Sequence, residues 1–392
     1  MSKSQLLFSP LALRGVTLPN RVVVSPLCMY SAKDGVATDW QFAHLSTFAR
    51  GGAGLVFAEA TAVEPRGRIT PRCLGIWSDD HAEALKPITR FITSMGAVPG
   101  IQIAHAGRKA SAKPPFMGGT PLDDEDAKRG EAAWPTVGPS ATPVGDGWPA
   151  PDALGVGDIA EIVDAFAAAA KRALTAGFKV LEIHAAHGYL IHSFLSPLAN
   201  TRNDAYGGDI QGRMRFALEV TEAVRAAWPE ELPLFCRISA VDGPAAGWSI
   251  DDSVVLSRCL ADLGVDVIDC SAGGIAGAPA FRATDSGTPL KGGERPPGFQ
   301  VPYAERVRAD AGVKTMAVGV IIDPHQAEAI LADGRADLVA LGREIMYNPF
   351  WPLHAAQALD ADPDFKLWPE QYSWAVRRRA QITDHPGIRD GR

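Results

Sequence analysis

Two imidazoles and a phenol fall within one six-residue segment of the chain, at His184, His187 and Tyr189. Imidazole N–H groups can donate hydrogen bonds to a carbonyl oxygen, and a phenol can supply a proton. The apolar run before the segment, from Val180 to Ile183, is typical of a buried β-strand. The segment therefore predicts a strand that ends in side chains able to polarise a carbonyl group. Histidines at this spacing also occur as structural residues and as metal ligands, so the segment alone leaves those alternatives open.

The composition limits the class of protein. The 392 residues are 46% hydrophobic and carry a formal net charge of −7 with no basic stripe, which argues against nucleic acid as a partner. No apolar run approaches the roughly 18 residues of a transmembrane helix, so no membrane partner is expected. The five cysteines include no C-x-x-C pair and give no indication of a metal site. An odd number of cysteines without a secretory signal predicts a cytoplasmic protein.

Apolar runs alternate with helical patterns along most of the chain. Strands are predicted at Arg21–Pro26, Gly54–Val63, Val98–His105, Val180–Ala186, Leu232–Ala240, Val265–Ser271, Lys314–Val320 and Asp337–Leu341, because near-continuous apolar runs are typical of buried parallel strands. The clearest helices are predicted at Ile159–Ala176, with Asp158 as N-cap, at Gln211–Trp228 and at Asp251–Leu263. This rhythm predicts an α/β fold, a single (β/α)8 TIM barrel over residues 1–360. A doubly wound sheet is the alternative.

Two long segments interrupt this rhythm, at residues 107–157 and 276–299. They follow the third and sixth predicted strands, at the end of the barrel where active sites lie. Loops of this length are usually functional or mobile. We expect them to shape substrate choice.

A dinucleotide-binding fingerprint, G-x-G-x-x-A, is matched by Gly155–Ala160. The Rossmann motif requires a strand immediately before the first glycine, and here a proline-rich loop precedes it. The segment is therefore interpreted as a loop that leads into a helix.

Polar residues and glycines stand at the ends of several other predicted strands. These are Ser25, Pro26, Leu27, Cys28 and Tyr30 after the first strand, Gln102 in the third, Arg237 in the fifth, Gly319 in the seventh, and Gly342 with Arg343 after the eighth. The Arg237 cation lies among apolar neighbours, where it would be costly without a partner. The two glycines and Arg343 suit a bound anion, and barrels commonly bind phosphate after strands seven and eight. The alternative is that the glycines only turn the chain.

The segments that carry these residues resemble the old yellow enzyme family, the FMN-dependent ene-reductases of the NADH:flavin oxidoreductase group. The matching segments are Ser25–Tyr30, Gly51–Arg68, Leu74–Asp80, Gln102–Lys109, Leu181–Gly208, Arg213–Arg215 and Gly342–Pro349. Phe194–Arg202, together with Tyr206-Gly207-Gly208, is particularly specific to the family. The similarity extends over roughly residues 6 to 360. The cysteine, the tyrosine and the histidine pair named above resemble its thermophilic-like subclass.

The resemblance implies non-covalent FMN, with NADPH or NADH as the hydride donor. The implied flavin-binding residues are Ser25, Pro26, Leu27, Cys28, Ala60 and Gln102, with Arg237 near the N1/C2 edge of the flavin. The implied phosphate-binding residues are Ser271, Gly319, Gly342 and Arg343. Cys28 is implied to touch the flavin and tune its potential, and the alternative is an ordinary buried small residue.

The implied reaction is the reduction of a small α,β-unsaturated molecule. NAD(P)H reduces FMN, which passes a hydride to Cβ of an alkene activated by a carbonyl or nitro group. His184 and His187 are implied to bind the substrate oxygen, Tyr189 to protonate Cα and Tyr30 to contact the substrate. No metal takes part.

The aromatic segment Leu367–Trp374 lies in a C-terminal tail, residues 361–392. Exposed aromatic clusters tend to mark interfaces, so the tail is predicted at a subunit contact. The resemblance implies a homodimer or homotetramer in which a tail residue, here Trp374, reaches the partner's substrate pocket. Two alternatives remain: Arg377–Arg379 supply that group, or the tail caps its own barrel.

Other functions are also compatible with a barrel. Dienoyl-CoA reductases and amine dehydrogenases share it, but they usually add an iron–sulfur motif and further domains. A flavin-free barrel such as an aldolase would need a Schiff-base lysine at a strand end, whereas Lys179 and Lys314 stand at strand starts. A flavin storage protein would bind FMN without turnover.

Overall fold

A computed structural model of the protein describes residues 5–275 and 295–383. Eight parallel strands form a closed barrel in which each strand pairs with its neighbours in sequence and the last pairs with the first. They are β1 (Val22–Val24), β2 (Leu55–Ala62), β3 (Val98–Ala104), β4 (Val180–Ala185), β5 (Leu234–Ser239), β6 (Val267–Ser271), β7 (Lys314–Val318) and β8 (Leu338–Leu341). The predicted (β/α)8 barrel is confirmed, and the doubly wound sheet is excluded.

Helices surround the barrel. The longer ones are α1 (Asp39–Arg50), α2 (Asp79–Ser94), α3 (Val156–Thr175), α4 (Ile210–Ala227), α5 (Ile250–Asp262), α6 (Val301–Ala311), α7 (Pro324–Ala332), α8 (Trp351–Ala358) and α9 (Glu370–Thr383). Short α-helices span Asp124–Lys128, Leu190–Leu195 and Arg343–Tyr347, and 3-10 turns span Leu6–Phe8, Pro65–Gly67, Gly107–Lys109 and Pro115–Met117. Within the described residues, no helix is long and apolar enough to cross a membrane.

The predicted N-cap of α3 was wrong. The helix is capped by Gly155, and the Asp158 side chain accepts a hydrogen bond from the Gly155 backbone N–H at 2.8 Å. The aspartate therefore lies inside the first turn, where a carboxylate can reach back to the cap. The segment that matched the dinucleotide fingerprint is a helix start, as predicted.

An apolar plug fills the amino-terminal end of the barrel. Phe57 of β2 and Phe235 of β5 meet inside it with ring centroids 5.9 Å apart. Leu13 and Leu18, from the hairpin Leu11–Leu13 and Val16–Leu18, pack on the same cluster and close that end. Because the plug occupies this end, the polar side chains of the strands collect at the other end.

The first of the two long loops is folded onto the end of the barrel at which the strands finish, called the barrel mouth below. Residues 107–157 contain short turns and a two-residue strand pair, Val137–Gly138 with Asp152–Ala153. The buried Arg108 donates to the carbonyl of Pro143 in this loop at 3.0 Å and to that of Ile275 after β6 at 3.4 Å. Arg108 thus connects the first long loop to the start of the second. In the second predicted loop, residues 276–294 lie outside the described part of the chain.

Candidate active site

Four polar side chains line the barrel directly above the apolar plug. The strand register places Gln102 beside Glu182 and Arg237 beside Asp269. Gln102 Nε2 donates to Glu182 Oε1 at 2.8 Å, and Arg237 Nε lies 3.1 Å from Asp269 Oδ2 as an ion pair without the alignment of a hydrogen bond. Burial raises the pKa of Asp269 to about 6 and raises that of Glu182 as well. The Arg237 cation therefore has the buried counter-charge that its apolar neighbours in sequence require.

The side chains of His184, His187 and Tyr189 come together at the carboxyl end of β4. The ring centroids of His184 and His187 are 5.0 Å apart, and those of His184 and Tyr189 are 5.1 Å apart. His187 Nδ1 lies 3.3 Å from His184 Nε2, while His184 Nδ1 is buried without a hydrogen-bond partner among the described residues. Burial, and next the Arg237 cation, lower the pKa of both histidines, so both rings are neutral. A neutral imidazole still carries one N–H donor.

Backbone strain marks the turn that carries these side chains. His187 has a φ of +62° and Gly188 a φ of +76°, and the first is uncommon for a residue with a side chain. The His187 N–H donates to Ser239 Oγ at 2.9 Å, and its carbonyl accepts from Lys109 Nζ at 2.8 Å. A Cβ at position 188 would lie 2.2 Å from the carbonyl oxygen of Gly274. The turn is therefore held on both sides by neighbouring loops.

The Tyr189 phenol is the protonated hydroxyl of the cluster. Burial raises its pKa, so the group is protonated throughout the neutral range. Lys109 Nζ lies 5.8 Å from the centre of the Tyr189 ring, and burial followed by the charge of Arg108 lowers the pKa of that lysine to about 8. Tyr189 also lines a small cavity together with Ala60 of β2. Tyr189 thus shares this cavity with one of the residues predicted to bind flavin, Ala60.

The loop after β1 forms another wall of the site. The Ser25 hydroxyl is buried and has no hydrogen-bond partner within the described chain. Cys28 is half-buried, and burial followed by the charge of Glu59 raises the pKa of its thiol. Tyr30 has a φ of +52°, and its ring packs edge-on against Phe116 of the long loop, with centroids 6.2 Å apart. The thiol is therefore protonated beside a fixed aromatic ring.

A cavity of about 400 Å³ opens beyond the ends of β7 and β8. Gly319, Gly342 and Arg343 line it, as the sequence predicted, and Arg295 adds a second guanidinium. Gly319 has a φ of +126°, which favours glycine. The hydroxyl of Ser271 lies apart from this lining, 2.7 Å from His187 Nε2. Three of the four predicted phosphate ligands therefore share one cavity.

The family model described as the NADH:flavin oxidoreductase / NADH oxidase family matches residues 6–362 of the chain. The chain belongs to this family. An NADPH dehydrogenase of Geobacillus thermodenitrificans is 44% identical over 356 residues, covering 90% of this chain and 94% of that protein. The family member described here is an FMN-dependent oxidoreductase that takes electrons from NAD(P)H.

Solved structures agree with this assignment. Morphinone reductase superposes with a TM-score of 0.72 at 27% identity, covering 91% of both chains. The old yellow enzyme homologue from Zymomonas mobilis superposes with a TM-score of 0.70 at 26% identity, covering 94% of this chain and 98% of that one. The resemblance to the old yellow enzyme family is confirmed. A 2-naphthoyl-CoA reductase shares the fold with a TM-score of 0.78 at 22% identity, and this chain spans 53% of it.

The residues at the barrel mouth fit FMN. The buried Ser25 hydroxyl and His184 Nδ1, unpartnered within the described residues, are polar atoms that a bound group can satisfy. The Arg237 guanidinium suits the electron-rich edge of a flavin. The half-buried Leu27 lies beside Gly342, 3.7 Å from where a Cβ would stand there, so the loop after β1 reaches the cavity beyond β7 and β8. Pro26, also half-buried, lies in the same loop.

Some residues of the site were missed in the sequence. Glu59, Lys109, Ser239, His192 and Asp242 hold the loops of the mouth, yet none forms a recognisable motif. Ser239, Asp242 and Lys109 stand at or just after strand ends, a position that favours functional residues in a barrel. That signal was available for these three residues.

Proposed function

We propose that the protein is an ene-reductase, which reduces small alkenes activated by a carbonyl or nitro group. The observation that carries this proposal is the cluster of His184, His187 and Tyr189, which combines two neutral N–H donors with a protonated phenol. Such a set can bind a substrate oxygen and deliver a proton nearby, without a charge that would have to be desolvated.

We assign the cofactor contacts as follows. Ser25, Pro26, Leu27, Cys28, Ala60, Gln102 and Arg237 would hold the flavin ring, and Gly319, Gly342 and Arg343 would hold its phosphate. Ser271 is not assigned to the phosphate, because its hydroxyl lies by His187 Nε2 and outside the cavity that the other three line. When bound in this site, FMN would supply the hydride that is transferred to Cβ of the alkene. Arg237, paired with Asp269, presents positive charge to the ring, and the glycines and Arg343 of the cavity present N–H donors to the phosphate.

The chain's own groups perform the remaining work. His184 and His187 donate hydrogen bonds to the substrate oxygen and stabilise the negative charge that develops there. Tyr189 gives its proton to Cα, for which its raised pKa keeps it protonated. Tyr30, fixed against Phe116, contacts the substrate from the opposite loop.

A direct test measures colour and turnover together. Purified protein should be yellow with one FMN per chain, and NADPH or NADH should bleach it without oxygen. The rates of bleaching by the two nucleotides would show which nicotinamide is preferred, and reoxidation by cyclohexenone, maleimide or a nitroalkene would then support alkene reduction. A protein that is bleached but is reoxidised by none of these alkenes would contradict the ene-reductase assignment while leaving the family assignment intact.

We also propose a cytoplasmic homodimer or homotetramer in which Trp374 reaches the partner's substrate pocket. Supporting observations are the exposure of Trp374, at 61%, on α9 and the five cysteines, all free thiols. Part of the tail packs on its own barrel instead, because Trp368 stacks on Phe350 with ring centroids 5.8 Å apart. The tail thus has a packed part around Trp368 and an exposed aromatic residue, Trp374.

A further inference from the structure

A buried histidine holds the turn that carries His187, Gly188 and Tyr189. His192 lies in the short helix after the turn and is fully buried. The backbone N–H of Gly188 donates to His192 Nδ1 at 2.8 Å. A backbone amide can only donate, so Nδ1 must be unprotonated and the ring proton must lie on Nε2. The structure therefore requires one tautomer of His192.

A buried carboxylate selects that tautomer. His192 Nε2 lies 2.9 Å from Asp242 Oδ1, although the ring N–H is not aligned closely enough for a full hydrogen bond. Asp242 Oδ2 accepts from Ser196 Oγ at 2.5 Å and from the Trp248 N–H at 2.8 Å. Burial raises the pKa of Asp242, but the interaction with His192, followed by the hydrogen bonds from Ser196 and Trp248, outweighs burial and holds the pKa below its usual range. An ionised carboxylate only accepts, so it favours the proton on Nε2.

We propose that Asp242 and His192 are positioning residues for the alkene-reducing step: Asp242 fixes the tautomer with which His192 holds the Gly188 N–H. Gly188 separates the two groups that act on the substrate, His187 and Tyr189. His187 has a left-handed backbone that needs external support. Loss of the anchor would let both side chains leave their places. This inference rests on the proposed ene-reductase function.

The substitution Asp242→Asn tests the tautomer directly. The amide oxygen can keep the hydrogen bonds from Ser196 and Trp248, which leaves the amide N–H₂ facing His192 Nε2. Because this group is a donor, the ring proton of His192 must move to Nδ1. There it faces the Gly188 N–H, and the hydrogen bond from Gly188 is lost. A similar amide substitution beside a catalytic histidine produces the wrong tautomer in serine proteases.

The double variant restores the anchor. In His192→Asn the side-chain oxygen stands close to the former Nδ1 position and accepts from Gly188 whatever residue 242 carries. We therefore expect Asp242→Asn to slow alkene reduction by about tenfold or more. The combination with His192→Asn should regain most of that loss. Reduction by NADPH should be slowed less than alkene reduction in Asp242→Asn, because it does not need the proton of Tyr189.

The measurements separate positioning from stability. Stopped-flow absorbance gives the rates of the two half-reactions, and thermal unfolding gives stability. A titration with para-hydroxybenzaldehyde, whose oxygen atoms can accept hydrogen bonds from His184 and His187, gives the affinity of the site for a phenol. Asp337→Asn is the matched control, because Asp337 is a buried aspartate at the start of β8, bonded to Arg308 and to the Thr315 N–H. It should lower stability and leave both half-reactions unchanged.

Two results would overturn the proposal. One is an Asp242→Asn protein that keeps wild-type alkene reduction and phenol affinity. The other is a double variant that is no faster than Asp242→Asn alone, because the tautomer would then not be the cause. If the wild type reduces no alkene, the proposed function fails, whereas a loss and recovery of phenol affinity would still establish the anchor.

Discussion

Burial decides the protonation state of the individual residues at the barrel mouth. It lowers the pKa of both histidines and raises that of Tyr189, so the site presents neutral donors rather than ions. Neutral donors can stabilise charge that develops during the reaction without first losing a hydration shell. The roles proposed for the histidines and the tyrosine depend on this neutrality.

Tyr189→Phe removes the proton donor and little else. We expect the alkene half-reaction to slow by about 100-fold or more, the usual contribution of a general acid, because the variant lacks the hydroxyl proposed to protonate Cα. Flavin reduction by NADPH should keep its wild-type rate, since that step needs no proton from the phenol. Stopped-flow measurement of both half-reactions checks this. Equal slowing of the two would indicate a binding defect instead of a lost proton donor.

Glu59 gives the fold a predicted pH dependence. It accepts a hydrogen bond from the Met29 N–H at 3.2 Å, but burial raises its pKa from 4.5 to about 7. The folded protein therefore binds more protons than the unfolded chain in this range, and the free energy of unfolding falls as pH rises from about 4.5 to 7. Asp269 acts in the same direction, because burial raises its pKa to about 6.

Glu59→Gln should flatten this profile. Chemical denaturation at several pH values between 4.5 and 8 measures the slope, and the variant should lose less stability than the wild type as pH rises through this interval. Parallel profiles for the two proteins would show that Glu59 does not titrate between the folded and unfolded states.

The turn after β4 is the element on which the site depends. Its glycine, Gly188, is needed for two separable reasons: a φ of +76° and the contact of a Cβ with the Gly274 carbonyl. Gly208 has the same φ of +76° but open space around a Cβ, so it isolates the first reason. The two glycines form a matched pair.

Gly208→Ala should cost about 1 to 2 kcal/mol of unfolding free energy, the cost of a left-handed alanine, with wild-type turnover. Gly188→Ala should cost more and should also slow alkene reduction, because the turn must move away from Gly274. Denaturant unfolding and steady-state rates measure both effects. Equal losses at the two positions would mean that the contact with Gly274 contributes nothing.

For the whole molecule, the tail contributes to two kinds of contact. Trp368 packs between Phe350 and Phe365, and Arg50 lies over the Phe350 and Tyr372 rings at 5.7 and 5.8 Å. Trp374 faces outward with Arg378 over its ring. The first set holds α9 on its own barrel, and the second is free to meet another subunit.

Two tryptophan substitutions separate these roles. Trp368→Ala should lower the unfolding free energy by about 1 to 3 kcal/mol, because it removes half-buried apolar surface within the chain. Trp374→Ala should leave that free energy unchanged while it weakens the oligomer and raises KM for an enone. Light scattering and steady-state kinetics measure these outcomes. A Trp374→Ala protein with wild-type assembly and KM would rule out the crossing role.

Much of the barrel and of its mouth was predictable, because both depend on local patterns. The eight apolar runs are continuous over the lengths of the strands, and strand ends in a barrel converge on one face. Gln102, Arg237 and the glycines of the last two strands were therefore placed correctly at that face. The prediction of Asp158 as an N-cap was wrong because a carboxylate in the first turn of a helix and one at the cap position have nearly the same sequence signature.

The sequence alone determined the barrel, the family and the groups at the strand ends, since hydrophobic periodicity and local motifs encode them. Only the tertiary structure decided that Ser271 stands by His187, that Glu59 supports the β1 loop, and that Asp242 faces His192. The physical reason is that these contacts join side chains from different βα units. Their distances depend on how the closed barrel arranges its loops, and no local pattern records that arrangement.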